Sequence, residues 1–405
     1  MTEQMEPKLR FKDKNNNDYP DWETKKLHQI VDVKDGTHES PKPTDDGYLL
    51  VTSKNLKNST LDFSESYSIS KEDYEDINKR SKVEIGDILF GMIGTIGNPI
   101  LLEKDGFAIK NVALLKTSSL QEREYILNFL KSNSITKQFY KLNVGGTQKF
   151  ISLRSIRDLK IDIPSSEEAI KIGGFFNKLD RQIELEEEKL ELLEQQKRGY
   201  MQKIFSQELR FKDENGNEYP KWVTQKIKEL GNVYTGNTPS KKQSTYWNSN
   251  NYIWVTPTDI NNKKDLKNSE YMLSDEGFKK ARQLPKNTLL ITCIASIGKN
   301  AILREEGSCN QQINALVPNS DKNVDFLYYA FEKVSKYMKR IAGKTATQIV
   351  NKSTFENISI EVPNFEEQLK AGRFLNSFDK LIEKQVSKIE LLKQRKQGFL
   401  QKMFV

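Results

Sequence analysis

Two stretches of the chain carry apolar side chains at alternating spacings of four and three. Within 165–205 these positions are Ile172, Phe176, Leu179, Ile183, Glu186, Leu190, Leu193, Lys197, Tyr200 and Ile204, and eight of the ten are apolar or aromatic. Within 364–404 they are Ala371, Leu375, Phe378, Ile382, Gln385, Ile389, Leu392, Lys396, Phe399 and Met403, again eight of ten. A seam of this period predicts two long helices, each roughly 60 Å from end to end. Pro164 and Pro363 precede the two runs and suit a chain entering a helix. One apolar stripe on so long a helix needs a partner. The two helices are therefore expected to pack on each other, antiparallel, as a rod. Acidic positions off the seam, such as Glu184, Glu187, Glu188, Glu191 and Glu194, read as a solvated face.

The remaining segments, 21–163 and 221–362, show short β-type runs punctuated by turn residues. In the first segment strands are expected at Tyr48–Val51, Asp87–Ile93, Ile100–Leu102 and Ala113–Leu115. In the second their counterparts are Ile253–Val255, Leu289–Ile294, Asn300–Leu303 and Ala315–Val317. One helix is expected in each, over Tyr125–Tyr140 and Phe326–Ile341, before a last strand at Leu159–Ile163 or Ile358–Val362.

These correspondences belong to an internal repeat. LRFKDKNNNDYPDWETKKL at 9–27 matches LRFKDENGNEYPKWVTQKI at 209–227 in twelve of nineteen positions, at an offset of 200. EEAIKIGGFFNKLD at 167–180 matches EEQLKAGRFLNSFD at 366–379, and GYMQKIF at 199–205 matches GFLQKMF at 398–404. The ends of each copy agree and the middles diverge. Matching ends imply one task performed twice, and divergent middles imply two related but distinct tasks. Two readers of different ligands on one repeated frame fit this pattern.

Composition narrows the class. The chain has 405 residues, 36% hydrophobic, which suffices for packed cores and argues against wholesale disorder. No apolar run is long enough for a membrane span, and the first twenty residues lack the apolar core of a secretory signal. Two cysteines, Cys293 and Cys309, make no disulfide framework, so a reducing compartment, most simply the cytoplasm, is expected. Residues 1–208 hold 32 Lys+Arg and 35 Asp+Glu, a net of −3, whereas 209–405 hold 32 and 21, a net of +11. More telling than this imbalance is a local one. Residues 131–160 carry seven cations (Lys131, Lys137, Lys141, Lys149, Arg154, Arg157 and Lys160) against Asp158 alone. Residues 333–352 carry six (Lys333, Lys336, Lys339, Arg340, Lys344 and Lys352) against no acid. Basic stretches at matching places in both middles point to a polyanion. Within them lie Gly145-Gly-Thr-Gln148 and Gly343-Lys-Thr-Ala-Thr-Gln348. Glycine lets backbone approach a phosphate, lysine neutralises it, and Gln or Thr can reach base edges.

Residues for catalysis are not evident. His28 and His38 are the only histidines, both in the first copy, and with two cysteines sixteen apart they form no zinc pattern. Gly343-Lys344-Thr345 resembles part of a phosphate loop, but Met338 stands where its first glycine is required. Pro20-Asp21 with Glu23-Thr-Lys25 is too tightly spaced for a nuclease carboxylate set, and the second copy lacks the acids. There is no Asn-Pro-Pro-aromatic motif of amino-methyltransferases. A non-catalytic chain without cofactor or metal is expected.

The order of these features resembles the specificity subunits of type I restriction-modification systems, over nearly the whole chain. The resemblance rests on LRF…YP-W at 9–22 and 209–222, on Asp35-Gly-Thr-His38, and on Gly145-Gly-Thr-Gln148 before Leu153-Arg-Ser-Ile-Arg-Asp-Leu159. The second copy departs from it at Gly236-Asn-Thr-Pro239 and Thr345-Ala-Thr-Gln348. It implies an α+β fold: two mixed α/β target-recognition domains, joined by two long antiparallel coiled-coil helices, as a pseudo-twofold tandem repeat. The boundaries read as 1–164 and 209–363 for the recognition domains, with helices at 165–208 and 364–405. Each domain would read one half of a split double-stranded DNA sequence. The helices would set the spacer and dock two methyltransferase subunits, which restriction/translocase subunits then join. S-adenosylmethionine, ATP and Mg would belong to those partners alone, and the assembled complex would act as adenine methyltransferase and ATP-dependent endonuclease. The expected DNA contacts in the first copy are Gly36, Thr37, His38, Thr52, Lys54, Asn55, Lys141, Gly145, Gly146, Thr147, Gln148 and Lys149. In the second they are Gly236, Asn237, Thr238, Lys241, Thr256, Thr258, Asp259, Lys344, Thr345, Thr347 and Gln348. The helix seam is expected at Phe176, Leu179, Ile183, Leu190, Leu193, Leu375, Phe378, Ile382, Ile389 and Leu392. The rival reading is a cytoplasmic scaffold that binds no DNA, with a coiled-coil rod and two protein-binding modules.

Overall fold

The computed structural model describes residues 7–57, 60–94, 96–117, 120–142, 150–261, 263–343 and 349–404. The chain forms two compact units, Met1–Glu188 with Ser387–Val405, and Lys189–Val386. These cuts differ from the boundaries read off the sequence, because each long helix contributes one part to each unit. The first helix spans Ser166–Phe205 and the second Phe365–Met403. Neither starts at its proline. The Ser165 hydroxyl accepts the Glu168 N–H (3.3 Å), and the Asn364 side-chain oxygen accepts the Glu367 N–H (3.1 Å), so a polar side chain caps each first turn.

The helices run antiparallel. In the first unit Phe399 packs on Phe175 with ring centroids 5.0 Å apart, Lys396 pairs with Asp180, and Lys388 meets Glu186 at 2.5 Å. In the second unit Phe374 and Phe378 pack on Tyr200 at 5.1 and 5.4 Å, and Lys197 pairs with Asp379. Numbers rise along one helix as they fall along the other. Phe176, Ile183, Leu375, Ile389 and Leu392 are buried, while Leu179, Leu190, Leu193, Phe378 and Ile382 are half-buried. Burial of each of the first five contributes about 2 kcal/mol, and of the half-buried ones less. The polar interruptions of the seam also have physical sense. Lys197 and Lys396, at equivalent places, each reach the aspartate that the repeat supplies on the other helix.

Both units share one topology. In the first, a four-stranded sheet has the order Asp32–Asp35, Val112–Lys116, Ile88–Gly91, Gly97–Leu101. In the second the order is Gly231–Thr235, Ile313–Pro318, Thr288–Thr292, Asn300–Leu303, with Asp265–Leu266 added at the edge. A three-stranded sheet accompanies each: Tyr67–Ile69, Tyr48–Thr52, Ala108–Lys110, and correspondingly Tyr271–Leu273, Tyr252–Val255, Gly307–Cys309. In both, the second and third strands of that sheet pair in parallel. The expected strands are present, Asn300–Leu303 with the expected ends and the others within three residues of theirs.

The expected helix Tyr125–Tyr140 is corrected to two, Leu120–Leu130 and Asn133–Leu142. The chain turns at Lys131 and Ser132, whose N–H groups bond to Asn128 and Phe129 carbonyls in tighter i→i−3 geometry. Its counterpart, Val324–Ala342, is unbroken. A helix at Lys71–Ser81 was not foreseen, although Ser70 before Glu72-Asp73 and Lys79-Arg80 at the far end form an ordinary start and stop signal.

The repeated LRF…YP-W motif is a staple. Arg10 bonds the Glu168 carboxylate with Nε and Nη2 at 3.2 and 2.7 Å, and Trp22 Nε1 donates to it at 2.9 Å. Arg210, Trp222 and Glu367 repeat this at 2.8, 2.7 and 3.2 Å. Both carboxylates are buried, so their charge requires these donors. The Glu168 hydrogen bond holds the Arg10 guanidinium above its usual range. A two-stranded ribbon, Glu23–Lys26 with Lys160–Ile163, or Val223–Lys226 with Ser359–Val362, then leads from the staple into each unit.

Candidate nucleic-acid interface

Three loops of each unit meet at one end of its three-stranded sheet. In the first unit the Gly36 N–H donates to the Val112 carbonyl (3.0 Å) and the Thr37 N–H to the Ile109 carbonyl (3.0 Å). Asn111, in the tight turn that follows Lys110, returns its own N–H to the Thr37 carbonyl (3.1 Å). The Ser53 hydroxyl donates to the Asn111 carbonyl (2.9 Å), which draws in the loop at 52–55. The edge continues through the Met92 carbonyl, which accepts the Ile151 N–H (2.9 Å), and through a bridge between Ile93 and Phe150.

The second unit builds the same edge. The Gly236 N–H donates to Ile313 (3.1 Å) and the Asn237 N–H to Cys309 (3.0 Å). The Asn310 N–H bonds to the Val255 carbonyl (2.9 Å), next to the turn at 256–259, and the Val350 N–H bonds to the Cys293 carbonyl (3.0 Å). Glycine is required at the two loop starts for space. A Cβ on Gly36 would stand 2.1 Å from the Ile109 carbonyl oxygen, and one on Gly236 would stand 2.2 Å from that of Cys309.

The expected contact residues divide into frame and tip. Gly36 and Gly236 are buried frame residues. Asn55 is also buried: its side-chain oxygen accepts from the Thr52 N–H (2.8 Å) and hydroxyl (3.1 Å), and its NH2 donates to the Asp62 carbonyl (2.8 Å). Asp259 does the same work at the equivalent turn, accepting from the Thr256 N–H and hydroxyl at 2.7 Å and from the Glu270 N–H at 2.9 Å. Asn55 and Asp259, with Thr52 and Thr256, thus shape the turns, and Lys54 and Thr258 stand exposed at their tips. Asn237 holds the loop, donating to the Lys280 carbonyl (2.9 Å) and accepting the Arg282 N–H (2.6 Å). Thr37 is half-buried; His38, Thr238, Lys141 and Lys241 are exposed. Lys241 sits over the Tyr271 ring at 5.5 Å. Gly145, Gly146, Thr147, Gln148, Lys149, Lys344, Thr345, Thr347 and Gln348 lie outside the described residues. Phe150 and Ile349, which follow those two loops, are exposed apolar positions on the edge.

Around His38 the structure assembles a constellation that the sequence did not disclose. His38 Nε2 lies 2.9 Å from Asp35 Oδ2, and Nδ1 lies 2.7 Å from Asn111 Oδ1. Asp35 is buried and pairs with Arg80 at 2.9 Å, while Arg80 also donates to the Gly36 carbonyl (2.8 Å). In the second unit the Thr238 hydroxyl donates to Gln311 Oε1 at 2.7 Å. Asn111, Gln311 and Arg80 escaped sequence reading. The repeat matches Asn111 to the longer turn Asn310–Gln312 as a whole, and nothing in the sequence placed either beside position 38 or 238.

Cations flank both edges. Lys42, Lys54, Lys79 and Arg80 are exposed in the first unit, and Lys241, Lys242, Lys279, Lys280, Arg282, Lys299, Lys339 and Arg340 in the second. Not every basic residue of the expected patches is free for a ligand. Arg157 donates to the Val33 carbonyl through Nε (3.0 Å) and Nη2 (2.7 Å). Lys131 is half-buried beside Lys396, and its ammonium is pushed down to about 8, by burial first and by Lys396 second. The Cys293 and Cys309 thiols are pushed up to about 12 by burial, which removes them as nucleophiles. Among the described residues no group of three or more His, Cys, Asp or Glu side chains could hold a metal ion, and no helix is long and apolar enough to cross a membrane.

Comparison with known proteins gives a consistent result. Residues 19–195 and 219–393 each match the type I restriction modification DNA specificity domain. The chain is 34% identical over 203 residues to the MjaIX specificity subunit of Methanocaldococcus jannaschii, covering 47% of this chain and 45% of that one. It is 29% identical over 150 residues to the HindI specificity subunit of Haemophilus influenzae, covering 36% and 32%. These two alignments span less than half of each relative. A longer one, 25% identical over 401 residues, covers 93% of this chain and 91% of the putative MjaX specificity subunit of M. jannaschii. Among solved structures, the S subunit of a type I restriction-modification system from M. genitalium superposes with a TM-score of 0.60 at 17% identity, covering 99% of both chains. A chain from a study of complex assembly and conformational transition in the type I system gives 0.61 at 16%, covering 95% and 97%. Those likenesses establish the fold, two α+β domains in tandem with long helices. None of these comparisons supports the scaffold reading. With two copies of the matching domain across most of its length, this chain belongs to the type I restriction modification DNA specificity domain family.

Proposed function

We propose that this chain is the DNA-reading, non-catalytic subunit of a type I restriction-modification complex, each unit reading one half of a bipartite duplex target. Phosphates would be met by the exposed lysines and arginines, and base edges by the loop tips at 37–41 and 237–243, to which the sequence adds residues 145–149 and 344–348. The helices, which join the two units covalently, set the number of base pairs between the half-sites and dock two methyltransferase subunits. Restriction/translocase subunits complete the assembly and bring ATP and Mg; the methyltransferase subunits bring S-adenosylmethionine. The working compartment is the cytoplasm. One observation carries this reading. The same backbone frame recurs in both units with different polar side chains at its tip, His38 with Asn111 in one and Thr238 with Gln311 in the other.

The test is duplex binding by the full chain with its co-purifying subunits, across a salt series. Contact with six phosphates predicts a slope of log affinity against log salt near −5, from about −0.9 per contact. A salt-independent or absent affinity rejects the proposal. Exchanging 221–362 for the equivalent segment of a relative is expected to change one half of the selected sequence and leave the other intact. Inserting two heptads into both helices is expected to lengthen the spacer.

A further inference from the structure

Each unit places a carboxamide beside its loop tip with half of it tied down; in the second unit the turn Asn310–Gln312 also holds Asn310 and Gln312, which bond to each other and not to the tip. Asn111 follows the strand Ala108–Lys110 and adopts a left-handed backbone, φ 55°. Its N–H and carbonyl are held by Thr37 and Ser53, and its Oδ1 faces His38 at 2.7 Å. Gln311 stands one residue further on, after Gly307–Cys309 and Asn310; it is exposed, and its Oε1 accepts the Thr238 hydroxyl at 2.7 Å. The NH2 group of each has no hydrogen-bond partner among the described residues. A side chain held at one atom and open at the other loses little rotamer freedom on binding. It therefore presents a fixed donor edge rather than a mobile one.

Resting on the DNA-reading function above, we propose that Asn111 and Gln311 are specificity-determining residues, each reading an adenine in the major groove of its own half-site. The free NH2 donates to N7, and the second lone pair of the amide oxygen accepts the N6 amino group, which is the pairing that an Asn or Gln makes with adenine. His38 and Thr238 are positioning residues: they fix which way the carboxamide faces. The second residue of each pair differs in length and the first in chemistry, so the two units place their donors at different depths.

The experiment is selection of bound sequences from a randomised duplex library by the full chain with its co-purifying subunits. Gln311→Ala is expected to relax one base-pair position in one half-site, with loss of discrimination on the order of 5- to 100-fold at that position and little change elsewhere. Gln311→Glu turns a donor edge into an acceptor and is expected to move the preference toward cytosine, whose N4 amino group it can accept. That gain of a new preference would not follow from a structural role. Asn111→Asp, which keeps a side chain tolerant of left-handed backbone, is expected to alter the other half-site alone. If wild-type protein enriches a sequence and the Gln311 variants enrich the same one, or lose affinity uniformly, this proposal is overturned and the reader function stands. If wild-type protein enriches nothing, both fall.

Discussion

Replacing Arg210 by alanine tests whether the repeated staple holds the second unit together. The Glu367 side chain is 1% exposed and accepts four hydrogen bonds: from Arg210 Nε (2.8 Å) and Nη2 (2.7 Å), from Trp222 Nε1 (3.2 Å) and from the Phe211 N–H (3.3 Å). Removing the guanidinium deletes the two shortest and the only cation among them. Breaking a buried pair from one side costs about 3–5 kcal/mol, because the remaining charge stays desolvated. Arg210 is 20% exposed, and two neutral donors remain, so the lower end, about 3 kcal/mol, is expected. With a urea dependence of about 2–3 kcal/mol per molar, the unfolding midpoint should fall by roughly 1 M. Pairing Arg210→Met with Glu367→Gln removes the charge together with its partner and is expected to recover most of the loss. A midpoint unchanged by Arg210→Ala, or a double variant no better than the single one, would refute the account of Glu367 as a carboxylate charged in the interior.

Other outcomes follow from the same coordinates. Lys131 has its ammonium pushed from 10.5 to about 8. Between those values the unfolded chain binds more protons than the folded one, so stability rises with pH through that window and the full penalty remains below it. Lys131→Met should therefore raise the melting temperature at pH 7, by at most about 3 kcal/mol of stability, with the gain shrinking toward pH 10. Gly236→Ala forces a Cβ to within 2.2 Å of the Cys309 carbonyl oxygen and is expected to destabilise by about 1–3 kcal/mol while shifting the 236–243 loop, which thermal unfolding and duplex affinity would both register. Lys280→Ala should lower the salt slope of duplex binding by about 0.9 and leave the selected sequence unchanged; a changed sequence would make Lys280 a base reader instead.

The long helices were legible because a seam of period 3.5 is a property of the chain alone, and its partner was supplied by the repeat. Lys197 and Lys396 looked like defects in that seam until Asp379 and Asp180 were seen opposite them. The strands were legible as apolar runs between turns. The break at Lys131–Ser132 was not, because it depends on which carbonyls the two N–H groups reach. The expected contact loops do gather at one edge in each unit, so their location was readable. The division of labour within them was not. Asn55 and Asp259 are the residue types that read bases, but they are also the types that cap turns, and only their partners show which task they perform. Asn111 lay in an unremarkable run, and its position beside His38 arises from a parallel bridge between Thr37 and Lys110, far apart in sequence, which no local pattern reports.

The two units differ in a way that separates task from frame. Exposed positions drift freely, so unlike side chains at two surface loops would by themselves mean little. Here the backbone contacts that hold the loops are the same: Gly36 and Thr37 donate to Val112 and Ile109, and Gly236 and Asn237 donate to Ile313 and Cys309. The contact between tip residues is also kept, but with its chemistry changed, imidazole to carboxamide in one unit and hydroxyl to carboxamide in the other. Drift under no constraint would lose the pairing before it lost the frame. The staple shows the opposite behaviour, with Arg, Trp and Glu retained identically in both copies, because its task is folding free energy and that task does not depend on the ligand. A double exchange, His38→Thr with Asn111→Gln, should therefore fold, at a cost of about 1–2 kcal/mol for glutamine in the left-handed backbone of position 111, and transfer the second unit's reading to the first half-site. Each single exchange leaves a mismatched pair and should weaken discrimination without transferring it. Additive, sequence-neutral effects of the two single changes would show that the tip pair does not act as one reading element.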